Sequence, residues 1–240
     1  MTISPLVDTT SISDNEIIFP EGDFWSDEPP LETYQHLQQI ILLLQCLEWL
    51  WRDRHDFFAA GNLTIYYSPN QKKSTDFRGP DFFVVLGTQR RLDRKSWVVW
   101  QEGGRYPDII IEILSDSTAK VDRGEKKQIY QDIFRTPDYF WFDPVTLEFQ
   151  GFKLVSGVYE PIEPNNQGRL WSSRLELYLG IHEQQLRYFT QEGELVPLPG
   201  EVAQQAQEQL DQERQAKELA QQQVAELKAQ LRALGIEPQE

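Results

Sequence analysis

The run Asp108-Ile-Ile-Ile-Glu-Ile-Leu114 constrains the fold of this 240-residue chain more than any other segment. It is rich in β-branched residues, too short for an ordinary helix and apolar at both odd and even positions, so it reads as a strand buried on both faces. Such a strand belongs inside a sheet with further layers above and below it. One residue breaks the pattern. By the period of two, Asp108, Ile110, Glu112 and Leu114 share one face, and Ile109, Ile111 and Ile113 the other. An unpaired carboxylate at Glu112 would cost on the order of several kcal/mol, so a compensating cation has to lie beside it.

The neighbouring elements follow from spacing. Between residues 33 and 54, Leu37, Ile40, Ile41, Leu44, Leu47 and Leu50 recur at intervals of three and four, which predicts a first helix. Short β-branched and aromatic runs at 62–67, 81–86 and 97–100 are bounded by Gly, Pro, Asn or charge and predict strands. Further strands are expected at 139–143, 147–154, 157–162 and 186–189, with Gly151, Gly157 and Pro161 as punctuation. Asp122 and Glu125 have capping-box spacing, and a second helix is expected from Lys126 through Phe134, stopped by Pro137. Together these predict an α/β fold with a mixed central β-sheet flanked by helices.

Composition narrows the chemistry. One cysteine, Cys46, excludes an internal disulfide framework and a zinc site built from several thiols. Cys46 itself sits in the apolar run of the first helix and reads as a small core residue. His36, His55 and His182 lie far apart without the spacing of a metalloprotease motif, and structural roles are expected for all three. No phosphate-cradling glycine loop or serine elbow occurs. The N-terminus lacks a basic start followed by an apolar run, and residues 40–51 are too short and too polar to cross a bilayer, so a cytoplasmic protein without a membrane span is expected.

The net charge of −15 would argue against a polyanionic partner if it were spread evenly. It is not. Residues 1–32 carry eight acids and no Lys or Arg, and residues 201–240 carry eight acids and four basic residues, which leaves −3 for the body between them. Within the body, residues 72–127 hold twelve basic residues against nine acids. That stretch permits a polyanionic ligand.

Three residues combine into a candidate site. Asp81 opens an apolar strand straight after Gly79-Pro80, where it reads either as a turn residue or as a second functional carboxylate. Glu112 reads either as half of an ion pair, with Arg123 as one possible partner, or as a functional acid. On the second helix, Ile129, Tyr130 and Ile133 lie three, four and seven residues beyond Lys126, which puts this lysine on the inward face. Near a helix N-terminus, where the macrodipole disfavours a cation, an inward lysine opposite an isolated glutamate breaks a local rule and marks a site. Two carboxylates on adjacent strands can bind a hard divalent cation such as Mg2+, and a lysine beside them can orient or deprotonate a water. A buried ion pair between Lys126 and Glu112 without catalysis is the plainer reading.

These motifs together are Gly79-Pro80-Asp81, Pro107-Asp108 through Glu112 to Ser115-Asp-Ser-Thr118, Asp122-Arg-Gly-Glu-Lys126 with Tyr130, and Pro137-Asp-Tyr139-Phe-Trp141-Phe-Asp143-Pro144. In this combination the sequence resembles the Uma family of restriction endonucleases, within the PD-(D/E)XK nuclease-like superfamily, over roughly residues 33–192. The resemblance implies a restriction endonuclease-like fold that hydrolyses DNA phosphodiesters. It implies Mg2+, with Mn2+ as a substitute, held by Asp81, Glu112 and the main-chain carbonyl of Ile113, and Lys126 positioning the attacking water. The superfamily's common lysine, two residues after the glutamate, is Leu114 here, and its role would pass to Lys126. Basic residues Arg90, Arg91, Arg94 and Lys95 could contact flanking phosphates. The rival reading is a weak or inactive nuclease-like module that binds DNA or a protein partner.

The C-terminal segment differs in kind. Leu210, Glu213, Lys217, Ala220, Val224, Leu227, Leu231 and Leu234 alternate steps of three and four, the seam of a coiled coil. The expected organisation is an acidic arm over 1–32, a nuclease-like domain over 33–196 and a coiled-coil helix over 201–234. A homodimer is expected through the tail, the nuclease domain or both; the alternative for the tail is a single helix folded back on the body.

Overall fold

The protein is described from a computed structural model, in which residues 33–68, 77–115, 119 and 122–233 are described. The acidic arm, Lys72, Lys73 and Leu234 lie outside them. In chain order come α1 (Tyr34–Leu50), β1 (Phe57–Gly61), β2 (Ile65–Tyr66), β3 (Phe77–Arg78), β4 (Phe82–Leu86), β5 (Trp97–Val98), β6 (Ile109–Ile113) and a helix over residues 122–134, here α2. Then follow β7 (Asp138–Phe142), β8 (Phe149–Val155), β9 (Val158–Pro161), β10 (Leu170–Ser172), β11 (Leu177–His182), β12 (Gln185–Phe189) and α3 (Pro199–Ala233). This is the expected α/β class, a mixed sheet flanked by helices, with a long helix after it.

The central sheet has the order β1-β4-β6-β7-β8-β9. The run 108–114 forms its interior as β6, antiparallel to β4 and parallel to β7. A parallel pair needs a crossover, and α2 supplies it. Both faces of β6 are covered, as its composition requires. Ile109, Ile111 and Ile113 join Phe82, Val84, Phe140 and Phe142 under α1 and the small sheet β10-β11-β12. Ile110 and Leu114 join Phe83, Val85, Tyr139 and Trp141 under α2. Each such side chain contributes about 1.5–3 kcal/mol by leaving water, so the two layers fix the strand's register as well as its place.

α1 starts where its cap dictates: Thr33 is extended and its side chain accepts from the His36 backbone N–H. The helix crosses the sheet closely at Gly61, where a Cβ would stand 2.2 Å from Ile40 Cγ2. β1 is absent from the sequence-based expectation. Phe57 enters one core and Phe58 the other, and two alanines follow, so the segment has neither alternation nor strong β-propensity to announce it.

α2 winds unusually. Residues Asp122–Lys126 and Tyr130–Phe134 form π-helical turns around a short α-helical piece, Lys127–Ile129. Hydrogen bonds from i to i+5 widen the turn, so a spacing of four stays nearly in line. Asp122, Tyr130 and Phe134 are therefore buried on one face, with Lys126 among them. Ile133, expected inside from α-helical spacing, is instead 45% exposed.

α3 is anchored to the body at its first turn. The buried Arg187 guanidinium donates to both carboxylate oxygens of Glu201 and to the Val196 carbonyl. Among the described residues, no helix is long and apolar enough to cross a membrane.

Two predictions follow from these contacts. Gly61→Ala should destabilise the fold by about 1–3 kcal/mol, read by urea denaturation, because Ile40 and α1 must give way. The Arg187 bond lowers the pKa of Glu201, so its stabilisation is present above the ordinary glutamate range and lost as the pH falls through the depressed value. Glu201→Gln should flatten that acid limb of the stability profile while leaving the rest of its pH dependence in place.

Candidate active site

The register of the sheet builds the site. β4 pairs with β6 so that Phe82 faces Ile111, and one step further Asp81 comes level with Glu112. The Asp81 backbone N–H donates to Glu112 Oε2 at 3.2 Å, and the Ile113 N–H donates to Asp81 Oδ2 at 2.8 Å. Each carboxylate is thus held by the main chain of the other's strand. From α2, Lys126 Nζ lies 3.3 Å from Glu112 Oε2, 2.9 Å from Asp122 Oδ1 and 3.5 Å from the Gly79 carbonyl. Tyr130 donates its hydroxyl to Glu112 Oε1 at 2.7 Å. The three residues singled out from sequence, Asp81, Glu112 and Lys126, come together.

Three further side chains complete the cluster. His36 Nε2 lies 3.0 Å from Asp81 Oδ1, although a structural role apart from the site was expected for this histidine. The signal was there: on α1, His36 precedes Ile40, Leu43 and Leu47 at spacings of four, three and four, on the buried stripe. Asp122, read as a helix cap, is buried and places a third carboxylate against Lys126. Tyr130, read as core, spends its hydroxyl on Glu112. Arg123, considered as a partner for Glu112, bonds to Glu148 instead.

The electrostatics follow from burial and charge count. Burial pushes the Glu112 carboxyl well up; Lys126 offsets this in part, and the negative neighbours Asp81 and Asp122 add to it. Burial acts the same way on Asp81, but His36, Lys126 and the Ile113 N–H outweigh it and hold that carboxyl below its ordinary value. Burial works against the Lys126 ammonium, yet Glu112, Asp122 and Asp81 together hold its pKa above the lysine range. Held charged by these acids, Lys126 can orient a water or an anion.

Three carboxyl groups, Asp81, Glu112 and Asp122, thus face one lysine and one histidine, and carboxylate oxygens suit a hard divalent ion. Among the described residues, no three His, Cys, Asp or Glu side chains form a ready cage for a metal. Beyond the ends of β6 and β7 a cavity of about 650 Å3 opens, lined by Ser115, Arg123, Asp143, Thr146 and Glu148 among others.

The basic segment 90–95 lies at the other end of β4. Arg90 pairs with Glu48, Arg91 with Asp93, and Arg94 with Glu102 while stacking over Phe58 and Trp97. These three guanidiniums are already engaged within the fold.

Lys126→Met, measured with chelator present, should cost about 3–5 kcal/mol in urea denaturation, because buried carboxylates lose their cation. Adding Glu112→Gln to that variant should recover part of the loss; strictly additive costs would mean the two groups do not interact.

Comparison with known proteins gives a family and matches among solved structures. Residues 12–187 match the family model described as "Uma2: Putative restriction endonuclease". The match starts inside the acidic arm, which had been expected to lie outside the resemblance. No curated protein matches. Among solved structures, the crystal structure of a putative nuclease belonging to DUF820 from Anabaena variabilis aligns with a TM-score of 0.47 and 14% identity, covering 65% of this chain and 83% of that one.

Proposed function

This chain belongs to the Uma2 restriction-endonuclease family, and from that premise we propose that it is a Mg2+-dependent endonuclease that hydrolyses DNA phosphodiester bonds at the cluster of Asp81, Glu112 and Lys126. The observation that carries the proposal is the convergence of two interlocked carboxylates and a buried ammonium at one point between β4, β6 and α2. Asp81 and Glu112, with the carbonyl of Ile113, would hold Mg2+ or Mn2+. The ion, when bound, polarises a phosphate oxygen and lowers the pKa of a water.

The chain's own residues do the rest. His36 and the Ile113 N–H fix the two oxygens of Asp81, and Tyr130 fixes one oxygen of Glu112, so neither carboxylate has to reorganise when a cation arrives. Lys126, held charged, positions the attacking water and balances charge that builds on the phosphate. Asp122 holds Lys126 in place from one helical turn away. In this reading residues 33–196 form the nuclease body, and residues 201–234 join two copies as a homodimer. The same reading takes the protein as cytoplasmic.

The test is a plasmid nicking assay with Mg2+ or Mn2+ at several salt concentrations. Asp81→Ala, Glu112→Ala and Lys126→Ala should each cut at least about 100-fold more slowly than wild type. The activity should fall as salt rises, since phosphate contacts release counterions. A wild type no faster than all three variants would favour the other reading, an inactive module for binding DNA or a protein, in which Lys126 only closes an ion-pair network with Glu112 and Asp122.

A further inference from the structure

Among the described residues, α3 is exposed from Ala203 to Ala233 except at Leu231, which is half-buried, and its 35 residues span about 52 Å. A helix this polar gains little stability alone. Its seam positions are Ala203, Ala206, Leu210, Glu213, Lys217, Ala220, Val224, Leu227 and Leu231. Leu210, Val224 and Leu227 are 55%, 51% and 58% exposed. Leu219, also exposed, lies off the seam.

The order along the seam selects a partner and an orientation. Alanines come first, large aliphatic residues last, and an acid and a base sit between them. In a parallel, in-register pair every layer meets itself, so Glu213 would face Glu213 and Lys217 would face Lys217, two like-charge contacts in a desolvated seam. In an antiparallel pair, each first-type seam position faces the second type on the other helix. The register that sets Lys217 against Glu213 of a second copy also sets Leu210 on Ala220, Val224 on Ala206 and Leu227 on Ala203. Large faces small in each of these layers, which fills a seam without voids. Sliding by one heptad in one direction puts Val224 against Glu213, and in the other Leu210 against Glu213; either way both charges face apolar side chains. Opposed macrodipoles favour the same orientation.

We propose that α3 joins two copies of this chain as an antiparallel coiled coil in which Lys217 of each meets Glu213 of the other, setting the two bodies at opposite ends of a rod about 50 Å long. This rests on the homodimer reading above and adds its geometry: the two candidate active sites do not stand side by side, so each works on one strand independently.

The experiment is sedimentation equilibrium of the full-length chain, combined with charge exchange and cysteine trapping. The wild type should have twice the 28.1 kDa of one chain. Lys217→Glu alone and Glu213→Lys alone should each weaken dimerisation at least about tenfold, and the double exchange should restore it. Under oxidation, Leu210→Cys mixed with Ala220→Cys should crosslink between chains, while either variant alone should not. The native Cys46 is buried and stays silent. A monomer at micromolar concentration overturns both the homodimer reading and its geometry. A dimer whose Leu210→Cys variant crosslinks to itself, and which ignores the single charge reversals, overturns the antiparallel geometry alone. A dimer that forms neither crosslink is joined elsewhere and also overturns it. Nicking by the same samples reports on the nuclease reading separately.

Discussion

A carboxylate in the middle of a strand that is buried on both faces has to be answered by a positive charge, and much of this molecule is arranged around that requirement at Glu112. The answer is Lys126, 3.3 Å away, and it comes from the crossover that the parallel pairing of β6 and β7 makes necessary. π-Helical turns at both ends bring Asp122, Lys126, Tyr130 and Phe134 onto one face, so one helix supplies the cation, its restraining acid, the hydroxyl for Glu112 and a core anchor. Replacing this polar cluster with apolar residues of similar volume would be neutral or stabilising in many proteins. A polar cluster in the centre of the core is more than packing alone requires.

Much of this was legible in residue order, for physical reasons. Period-two alternation put Glu112 on the same face as Ile110, and helical spacing turned Lys126 inward; both inferences use only side-chain direction. Asp81 was readable because Gly79-Pro80 fixes where its strand begins. The contributions of His36 and Asp122 were not readable in the same way. His36 meets Asp81 across 45 residues of chain, and only the packing of α1 on β1 at Gly61 brings them together. Asp122 carries a helix-start signature that a buried acid shares with an ordinary cap. Ile133 was misplaced because spacing was counted for 3.6 residues per turn, and nothing local in the sequence announces a π-helical turn.

The cluster divides its charge unevenly. Asp81 is kept ionised by its donors, Lys126 is kept ionised by three acids, and burial, with a smaller contribution from Asp81 and Asp122, raises the pKa of Glu112. The interlocked main-chain contacts hold both carboxylates in fixed positions. The same logic bears on Arg90, Arg91 and Arg94. A sequence count makes residues 72–127 look basic, but these guanidiniums are neutralised by Glu48, Asp93 and Glu102. Net charge along a chain says where a polyanion is permitted; pairing in the fold decides which cations remain to meet it.

α3 carries that distinction to the level of assembly. Residues 201–240 add −4 to the chain's charge, yet their bases are placed rather than diluted: Lys217 stands on the seam one turn from Glu213. On a lone helix such a pair is worth a few tenths of a kcal/mol. Placed at the meeting line of two helices it acts as a register mark, because every orientation but one leaves it against its own kind or against apolar side chains. In the proposed dimer the seam Glu213–Lys217 pair would follow, at a second scale, the rule that the buried Glu112–Lys126 pair follows within one chain. A charge put where water cannot reach it specifies its partner's position, and the rest of the chain has to be arranged to deliver that partner.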